Sequence, residues 1–538
     1  MTIDPVGTSE ANLVRNSIRY RLGDLFISIC LKPWKIFSHA RKFRDIVSVI
    51  AQRRLIRDFP RDFEIGQPND PVLRSGLLNR LSINQLDKAQ AKLKSALQGG
   101  TGPLTLDDPE FQPLIDRVEE LRDLVRQGLR DDVGSMAARS GQVRSKHIAI
   151  AAHTGLPLRS NGYAIRTEAL ASKLTSLRPS WDINVWLRYS KINAELNTSI
   201  QANYKWLPSF QPTQLDLESY IEALANAYVA AWKNDPPALV HASSNYLIGA
   251  AAGRAAKRMN VPFIYEVRGL WEVTRASHFP AFKDSLGYRV QVKLETQVAS
   301  SADKVIVISD ALKSKLIQRG VDEDKISIIG NGAPDLKRAL PMERQKTRRA
   351  LGIADDSVLV GFVGSFTSYE GLPNLINAVL KARKTASVNI NLLLVGDGSE
   401  TTKLDTLAAG YNWVTMTGRV SPSEALSLHG ALDIACYVRR DSSVTRLTPP
   451  LKPLEAMAKG VATIVADLPP FRELISDPEA AIFVTPDSVE DLAKSIRTLS
   501  DDPLRRNNVA AVGLTYIATQ TWESKAEKLS VIYDSLLN

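Results

Sequence analysis

The sequence predicts an α/β protein in which two tandem domains, each built on a parallel sheet, face one another across a cleft, behind a mainly helical N-terminal extension. Three observations carry the prediction. From residue 146 onward, short apolar runs of strand length alternate with helix-length patterns, which is how a parallel sheet with crossover helices is written in sequence. The alternation is broken once, by a polar stretch that ends at Gly352, and then resumes. The 538 residues exceed one ordinary core and suit two domains of roughly 150 to 200 residues plus an additional segment.

Residues 1–145 read as helical or irregular, with polar breaks at "GQPNDP" (66–71) and "GGTGP" (99–103) and a helical pattern at "LIDRVEELRDLVRQGL" (114–129). The first sheet domain, 146–335, has strand-like runs at "HIAIAA" (147–152), "INVWLR" (183–188), "ALVHA" (238–242), "PFIYEV" (262–267), "KVIVIS" (304–309) and "ISIIG" (326–330). The second, 336–515, has them at "VLVGFVG" (358–364), "INLLLVG" (390–396), "WVTMTG" (413–418), "DIACYV" (433–438), "VATIVA" (461–466) and "AAIFV" (480–484). A closing helical segment occupies 516–538. Ligands of such sheets bind beyond the carboxyl ends of the strands, so a tandem pair places the expected site in the cleft between domains.

Composition removes several classes. Apolar residues at 44% with 23% charged are globular. Cys30 and Cys436 lie in unrelated segments and form no disulfide framework, and the six histidines are scattered without metal-ligand spacing, so no metal is expected. The net charge of +10 is concentrated between Arg15 and Arg57, where eleven Lys/Arg stand against two Asp. It is therefore a property of one segment and does not describe a nucleic-acid-binding protein. Within "KIFSHARKFRDIVSVIAQRRLIRDF", Ile36, Ala40, Phe43, Val47 and Ile50 share a face while Arg41, Lys42 and Gln52 lie away from it. Two readings are open: docking on an anionic membrane surface, or packing on the sheet domains with the basic back in water. The apolar run "LFISICL" is too short to span a bilayer and the N-terminus lacks signal-peptide character. The expected location is cytoplasmic, with peripheral attachment to the inner membrane face as the alternative.

Several motifs bear on chemistry. "GDGSE" (396–400) and "IGNGAP" (329–334) are incomplete dinucleotide fingerprints, and "GSFTSYEG" (364–371) lacks the Lys-Ser/Thr of a phosphate loop. "TGLPLRSNGYAIRTEAL" (154–170) passes from a strand through a glycine turn into a helix. Gly162 would let a phosphate or sugar approach the helix start, and Asn161 equally serves as a plain cap. "YEVRGLWEVTR" (265–275) clusters Glu266, Arg268, Glu272 and Arg275 after a strand, placed either for substrate contact or for structural ion pairing. "LKPLEAMAKG" (451–460) sets Lys452 near the cap of a helix opened by Pro453, with Glu455 in its first turn. Glu455 could simply complement the helix dipole. The upstream run "YVRRDSSVTRLTPP" (437–450) adds Arg439, Arg440 and Arg446, and four cations around a helix start would form an anion trap.

With these residues in view, the chain from about 147 onward resembles glycosyltransferase family 4 enzymes of the GT-B fold, those of bacterial cell-surface polysaccharide and glycolipid assembly in particular. The matching stretches are "SNGYAIRT" (160–167), "YEVRGLWE" (265–272), "IIGNGAP" (328–334), "YEGL" (369–372), "LLLVGDG" (392–398), "TGRV" (417–420) and "PLKPLEAMAKGVATIVAD" (450–467). "TWESKAEKLSVIYDSL" (521–536) resembles the last helix of that fold, which returns to the first domain. The resemblance implies two Rossmann-like domains and a retaining transferase that moves a sugar from a nucleotide-sugar donor to a hydroxyl of a lipid-linked or polysaccharide acceptor. It implies no cofactor beyond the donor itself and no nucleic-acid partner. By position, Glu455 would accept hydrogen bonds from the ribose and Lys452 would neutralise the diphosphate. Arg419 and Val420 would border the base, and Gly162 would lie against the phosphate or donor sugar. Arg268, Glu266 and Lys452 are the expected catalytic residues. Ser365 and Arg446 join Gly162, Arg419, Val420, Lys452 and Glu455 as the expected donor-binding set.

The chain departs from the family pattern in three places. Ser365 and Glu370 stand where the family has Arg and Lys, Leu447 stands for the first Glu of a paired-carboxylate motif, and Arg268 stands for a His. Glu370 is therefore expected to turn from the diphosphate, with Arg446 and Lys452 supplying the charge. The departures also leave room for a catalytically inactive, membrane-associated assembly subunit; a nucleotide-sugar epimerase is a third, weaker reading.

Overall fold

The computed structural model describes residues 112–129, 146–156, 161–188, 200–207, 217–335 and 340–537. The basic stretch between Arg15 and Arg57, with its proposed docking helix, lies outside the described residues. The chain divides into two compact units. One of them, Leu129–Gln211, Ile221–Pro280 and Leu294–Asn538, carries both sheets; the described residues of the other include the helix Gln112–Gln127. Among the described residues no helix is long and apolar enough to cross a membrane.

The first sheet is formed by β1 (His147–Ala152), β2 (Asp182–Leu187), β3 (Asn203–Trp206), β4 (Leu239–Ser243), β5 (Phe263–Val267), β6 (Lys304–Val307) and β7 (Ile326–Ile328), in the order β3-β2-β1-β4-β5-β6-β7. The second is formed by β8 (Val358–Val363), β9 (Ile390–Val395), β10 (Val414–Met416), β11 (Ile434–Tyr437), β12 (Ala462–Ala466) and β13 (Ile482–Val484), in the order β10-β9-β8-β11-β12-β13. All pairings are parallel. Strands β1, β4, β5, β8 and β12 are buried along their whole length, as continuous apolar runs must be when helices cover both faces of a sheet. Strand β3, "NYKW", is the element that apolar-run reasoning passes over. It is an edge strand of four residues whose exposure alternates, so its composition is half polar.

Each sheet has its own apolar core. Trp522, Ala526, Leu529 and Tyr533 of the last helix, Trp522–Leu537, belong to the core of the first sheet although the chain reaches them after finishing the second. The strand orders fix where a ligand can sit. Both sheets reverse direction at one point, between β1 and β4 and between β8 and β11, and loops that leave the carboxyl ends of strands at such a switch point diverge to leave a crevice. The loop after β1 leads to Gly162, and the loop after β11 leads to Lys452.

Candidate functional site

The second-domain half of the site begins with the helix Lys452–Ala458. Its N-cap is Leu451, so Lys452 is the first helical residue, one step inside the cap position the sequence suggests. No side chain caps this helix, and Pro453 needs no partner for an N–H it lacks. Lys452 Nζ lies 2.9 Å from Glu455 Oε2 and 3.2 Å from Oε1. The lysine side chain is 32% exposed and the carboxylate 11%. Burial alone would raise the Glu455 carboxyl, but Lys452 and His429 together hold it below the ordinary value, so it stays ionised at neutral pH.

Beside this helix run the loops that follow β8 and β9. Gly396, at φ 135°, is required there: a Cβ would stand 1.9 Å from the carbonyl oxygen of Gly364. The "GDG" stretch thus serves to pack two loops backbone to backbone, which accounts for its likeness to a nucleotide fingerprint that it does not complete. Gly371 of "YEGL", at φ 74°, likewise has the Val438 carbonyl 2.5 Å from where a Cβ would sit. Ser365 is exposed on the first of these loops, Arg419 is exposed after β10, and Val420 packs against the second-domain core.

The four cations expected to form one trap are each bound to a carboxylate. Arg439 grips Glu370 with Nε at 3.0 and 3.1 Å and a terminal nitrogen at 2.7 Å, and also donates to the Thr448 carbonyl at 3.0 Å. Arg440 Nε donates to Asp487 at 2.9 Å, and Arg446 is held by Asp441 through two bonds of 2.5 Å at the surface. Lys452 holds Glu455. This corrects the picture of unbalanced positive charge around the helix start: the physical reason is that Glu370 from the loop after β8, Asp487 from the loop after β13 and Asp441 from the same run reach these guanidiniums. Glu370, 7% exposed, turns onto Arg439. Lys452 differs from Arg439 in exposure, 32% against 13%, and so is the cation better placed to meet a ligand.

The first-domain half is the turn into the helix Gly162–Leu177, capped by Asn161, whose side chain accepts from Ala164 N at 2.9 Å. Beneath it lies a buried triad. Arg166 donates to Glu266 Oε1 through Nε (2.9 Å) and a terminal nitrogen (2.6 Å), while Arg268 donates to Glu266 Oε2 through Nε at 2.7 Å. Arg268 also reaches the Tyr163 carbonyl at 2.9 Å and Thr167 Oγ1 at 2.6 Å. Glu266 is 0% exposed and Arg268 4%. Burial would raise the Glu266 carboxyl, but the two guanidiniums and His241 hold it well below the usual carboxylate range. Of the two roles open for this cluster, the geometry is that of a positioning network. Glu266 does not reach solvent, and Arg268 fastens the glycine turn from below.

The two halves meet. A Cβ on Gly162 would lie 3.5 Å from Leu451 Cδ1, and one on Gly269 would lie 3.6 Å from Thr448 Oγ1. Ser309 Oγ donates to the Leu447 carbonyl at 2.7 Å, and Asn331 Nδ2 to the Pro449 carbonyl at 3.2 Å. Thus Gly162 and the Lys452–Glu455 pair, read from distant parts of the sequence, lie where the two domains touch. Arg446 is not drawn to that pair but to Asp441.

The "Glycosyl transferase 4-like domain" matches residues 161–332, and "Glycosyl transferases group 1" matches 343–513. The chain belongs to the group 1, family 4-like glycosyltransferases of GT-B fold. The D-inositol 3-phosphate glycosyltransferase of Stackebrandtia nassauensis is 27% identical to this glycosyltransferase over 330 residues, 59% of this chain and 73% of that one. An uncharacterized glycosyltransferase of Methanocaldococcus jannaschii is 25% identical over 260 residues, 48% of this chain and 64% of that one. Among solved structures, Anabaena HepE in complex with UDP superposes with a TM-score of 0.58 at 19% identity, over 72% of this chain and 100% of that one. Sucrose-phosphate synthase from Thermosynechococcus elongatus does so with 0.59 at 21% identity, over 73% and 99%.

Sequence reasoning passed over three buried residues of this glycosyltransferase that lie against Glu266 or Glu455. Arg166 stands inside the quoted "SNGYAIRT", and a lone Arg among inward Ala164, Thr167 and Ala171 was a readable sign of a buried partner. His241, bonded to Tyr533 at 2.6 Å, and His429, bonded to Tyr437 at 2.9 Å, had no such sign, because each pairing joins residues from different elements.

Proposed function

We propose that the chain is a retaining glycosyltransferase that takes a sugar from a nucleotide-sugar donor and transfers it to a hydroxyl of a lipid-linked or polysaccharide acceptor on the cytoplasmic side of a membrane. The observation that carries the reading is the pairing of one ammonium, a third exposed, with one ionised, shielded carboxylate at the switch point of the second sheet, opposite Gly162. A nucleotide sugar offers each its complement. The ribose diol donates to Glu455, and the diphosphate takes Lys452. In the reaction the bond from the sugar C1 to the diphosphate oxygen breaks as the acceptor oxygen bonds to C1 on the same face. The departing phosphate oxygen accepts the acceptor's proton. No protein nucleophile is needed, so the protein's part is positioning and stabilisation of the leaving charge. Lys452 supplies that stabilisation, and Arg268, held by Glu266, sets the glycine turn against which the donor lies. UDP in a structural neighbour makes UDP-sugars the first donors to test, and a phosphorylated polyol in the name of a relative makes inositol phosphate the small soluble acceptor to set against lipid-linked and polysaccharide ones.

The test is turnover of UDP-, GDP- and ADP-sugars by the purified chain, with binding followed by thermal shift, since a ligand that binds only the folded state raises the melting temperature. Glu455→Ala should lower donor turnover about 100-fold or more while leaving the fold intact, which is the size expected for loss of a charge-assisted contact pair. A second reading, an inactive assembly subunit, is favoured by the pairwise neutralisation of Arg439, Arg440 and Arg446. It would prevail if no nucleotide sugar were bound or turned over.

A further inference from the structure

Under the Lys452–Glu455 pair lies a side chain with no assigned task. His429, in the helix Pro422–Ala431, is 0% exposed. Its Nε2 is 2.9 Å from the Tyr437 hydroxyl. Among the described residues its Nδ1 has no hydrogen-bond partner, and it faces Glu455 Oε2 at 3.8 Å. Burial pushes the Tyr437 phenol well above its ordinary value and holds the His429 imidazole down to about 4, so at neutral pH the hydroxyl carries its proton and the ring carries one. The tautomer with the ring proton on Nδ1 points an N–H at the carboxylate and leaves Nε2 to accept from Tyr437, whereas the opposite tautomer would set a nitrogen lone pair against the Glu455 anion.

This arrangement answers a difficulty in the donor reading. Lys452 spans both oxygens of Glu455, yet a diphosphate must draw the ammonium away and a ribose must claim the carboxylate. Opening the pair leaves a largely buried anion without its cation, which is costly unless another donor arrives. We propose that His429 is a positioning residue for Glu455: when the diphosphate withdraws Lys452, His429 Nδ1–H takes the released Oε2 from beneath and leaves Oε1 aimed at the ribose. The imidazole approaches from the protein side and does not compete with the ligand. Closing the gap from 3.8 Å to hydrogen-bonding distance needs only a carboxylate rotation of the kind that loss of the lysine contact permits.

The inference rests on Glu455 being the ribose carboxylate, and the experiment separates the two. UDP, GDP and ADP are titrated by calorimetry into the full-length chain and its variants, and the tightest is followed. His429→Leu should weaken it about 10-fold, the loss expected for a hydrogen bond to a charged group. His429→Asn, whose amide nitrogen stands near the position of Nδ1, should restore binding to within about threefold. His429→Gln, which reaches only toward Tyr437, should not. A merely structural role would not sort Asn from Gln in this way. Wild-type affinity in His429→Leu together with weakened binding in Glu455→Gln would overturn the hand-over and keep the donor reading. Unchanged binding in Glu455→Gln, or no binding of any diphosphate to the wild type, would overturn both. Should His429→Leu fail to fold, the Asn and Gln variants decide: equal affinity in His429→Asn and His429→Gln overturns the proposal.

Discussion

Two carboxylates near the carboxyl ends of strands, Glu266 inside β5 and Glu455 in the helix after β11, both meet cations; they have opposite fates. Glu266, at the end of β5, is saturated by Arg166 and Arg268 and sealed from water. Glu455, in the helix after β11, meets a single lysine that is one-third exposed. Guanidiniums have a planar fork that fills a carboxylate's lone pairs and can be buried with it, whereas an ammonium on a flexible stem can leave. The lesson is that residue type alone marks neither as a site. The two differ in how freely the cation could depart, and that depends on what else surrounds the pair.

The contrast can be broken most forcefully at Glu266. Glu266→Ala strands two buried guanidiniums and should cost about 3–5 kcal/mol of stability, read by urea unfolding. A loss near zero would show that the triad is not the strut described here.

Next in size is a buried carboxyl whose hydrogen bonds come from a backbone N–H and a phenol. Glu295 accepts from Tyr246 N at 3.0 Å and from the Tyr265 hydroxyl at 2.7 Å, and burial pushes it up to about 8. Its folded value lies above the ordinary 4.5, so the folded state keeps a proton that the unfolded chain gives up. Its contribution is therefore fully present below about pH 4.5 and is lost as the pH rises to about 8. Glu295→Gln cannot titrate, so its unfolding free energy should gain on the wild type across that window, by at most about 5 kcal/mol for a carboxyl moved from 4.5 to about 8. A constant difference at all pH values would remove Glu295 as the titrating group.

The smallest effect sharpens the comparison within the second domain. Lys452→Ala should weaken donor binding about 10-fold or more, while Arg446→Ala, which removes an exposed pair with Asp441, should change it less than about twofold, both read by calorimetry. A larger effect at Arg446 would mean that it leaves Asp441 to supply the charge that Ser365 and Glu370 do not.

Much of the fold was legible because its information is local. The run at 147–152 coincides with β1, and those at 358–364 and 390–396 overshoot β8 and β9 by one residue. Parallel strands buried on both faces announce themselves by uninterrupted apolar character. Strand β3 did not, because an edge position tolerates Asn and Lys. Lys452 and Glu455 were legible as a pair three residues apart on one helical turn. The pairing of Arg439 with Glu370, 69 positions away, was not, nor was that of Arg166 with Glu266, 100 positions away.

The sequence by itself determined the alternation of strands and helices, the tandem repetition of the sheet unit, and the local marks of a nucleotide-sugar transferase family. Those follow from short-range periodicity and from residues that meet within one turn. Only the tertiary structure decided which charges are spent on each other and which remain available, because a charge is neutralised by whatever lies within a few ångströms, and those neighbours arrive from other strands, other helices and the opposite wall of the crevice.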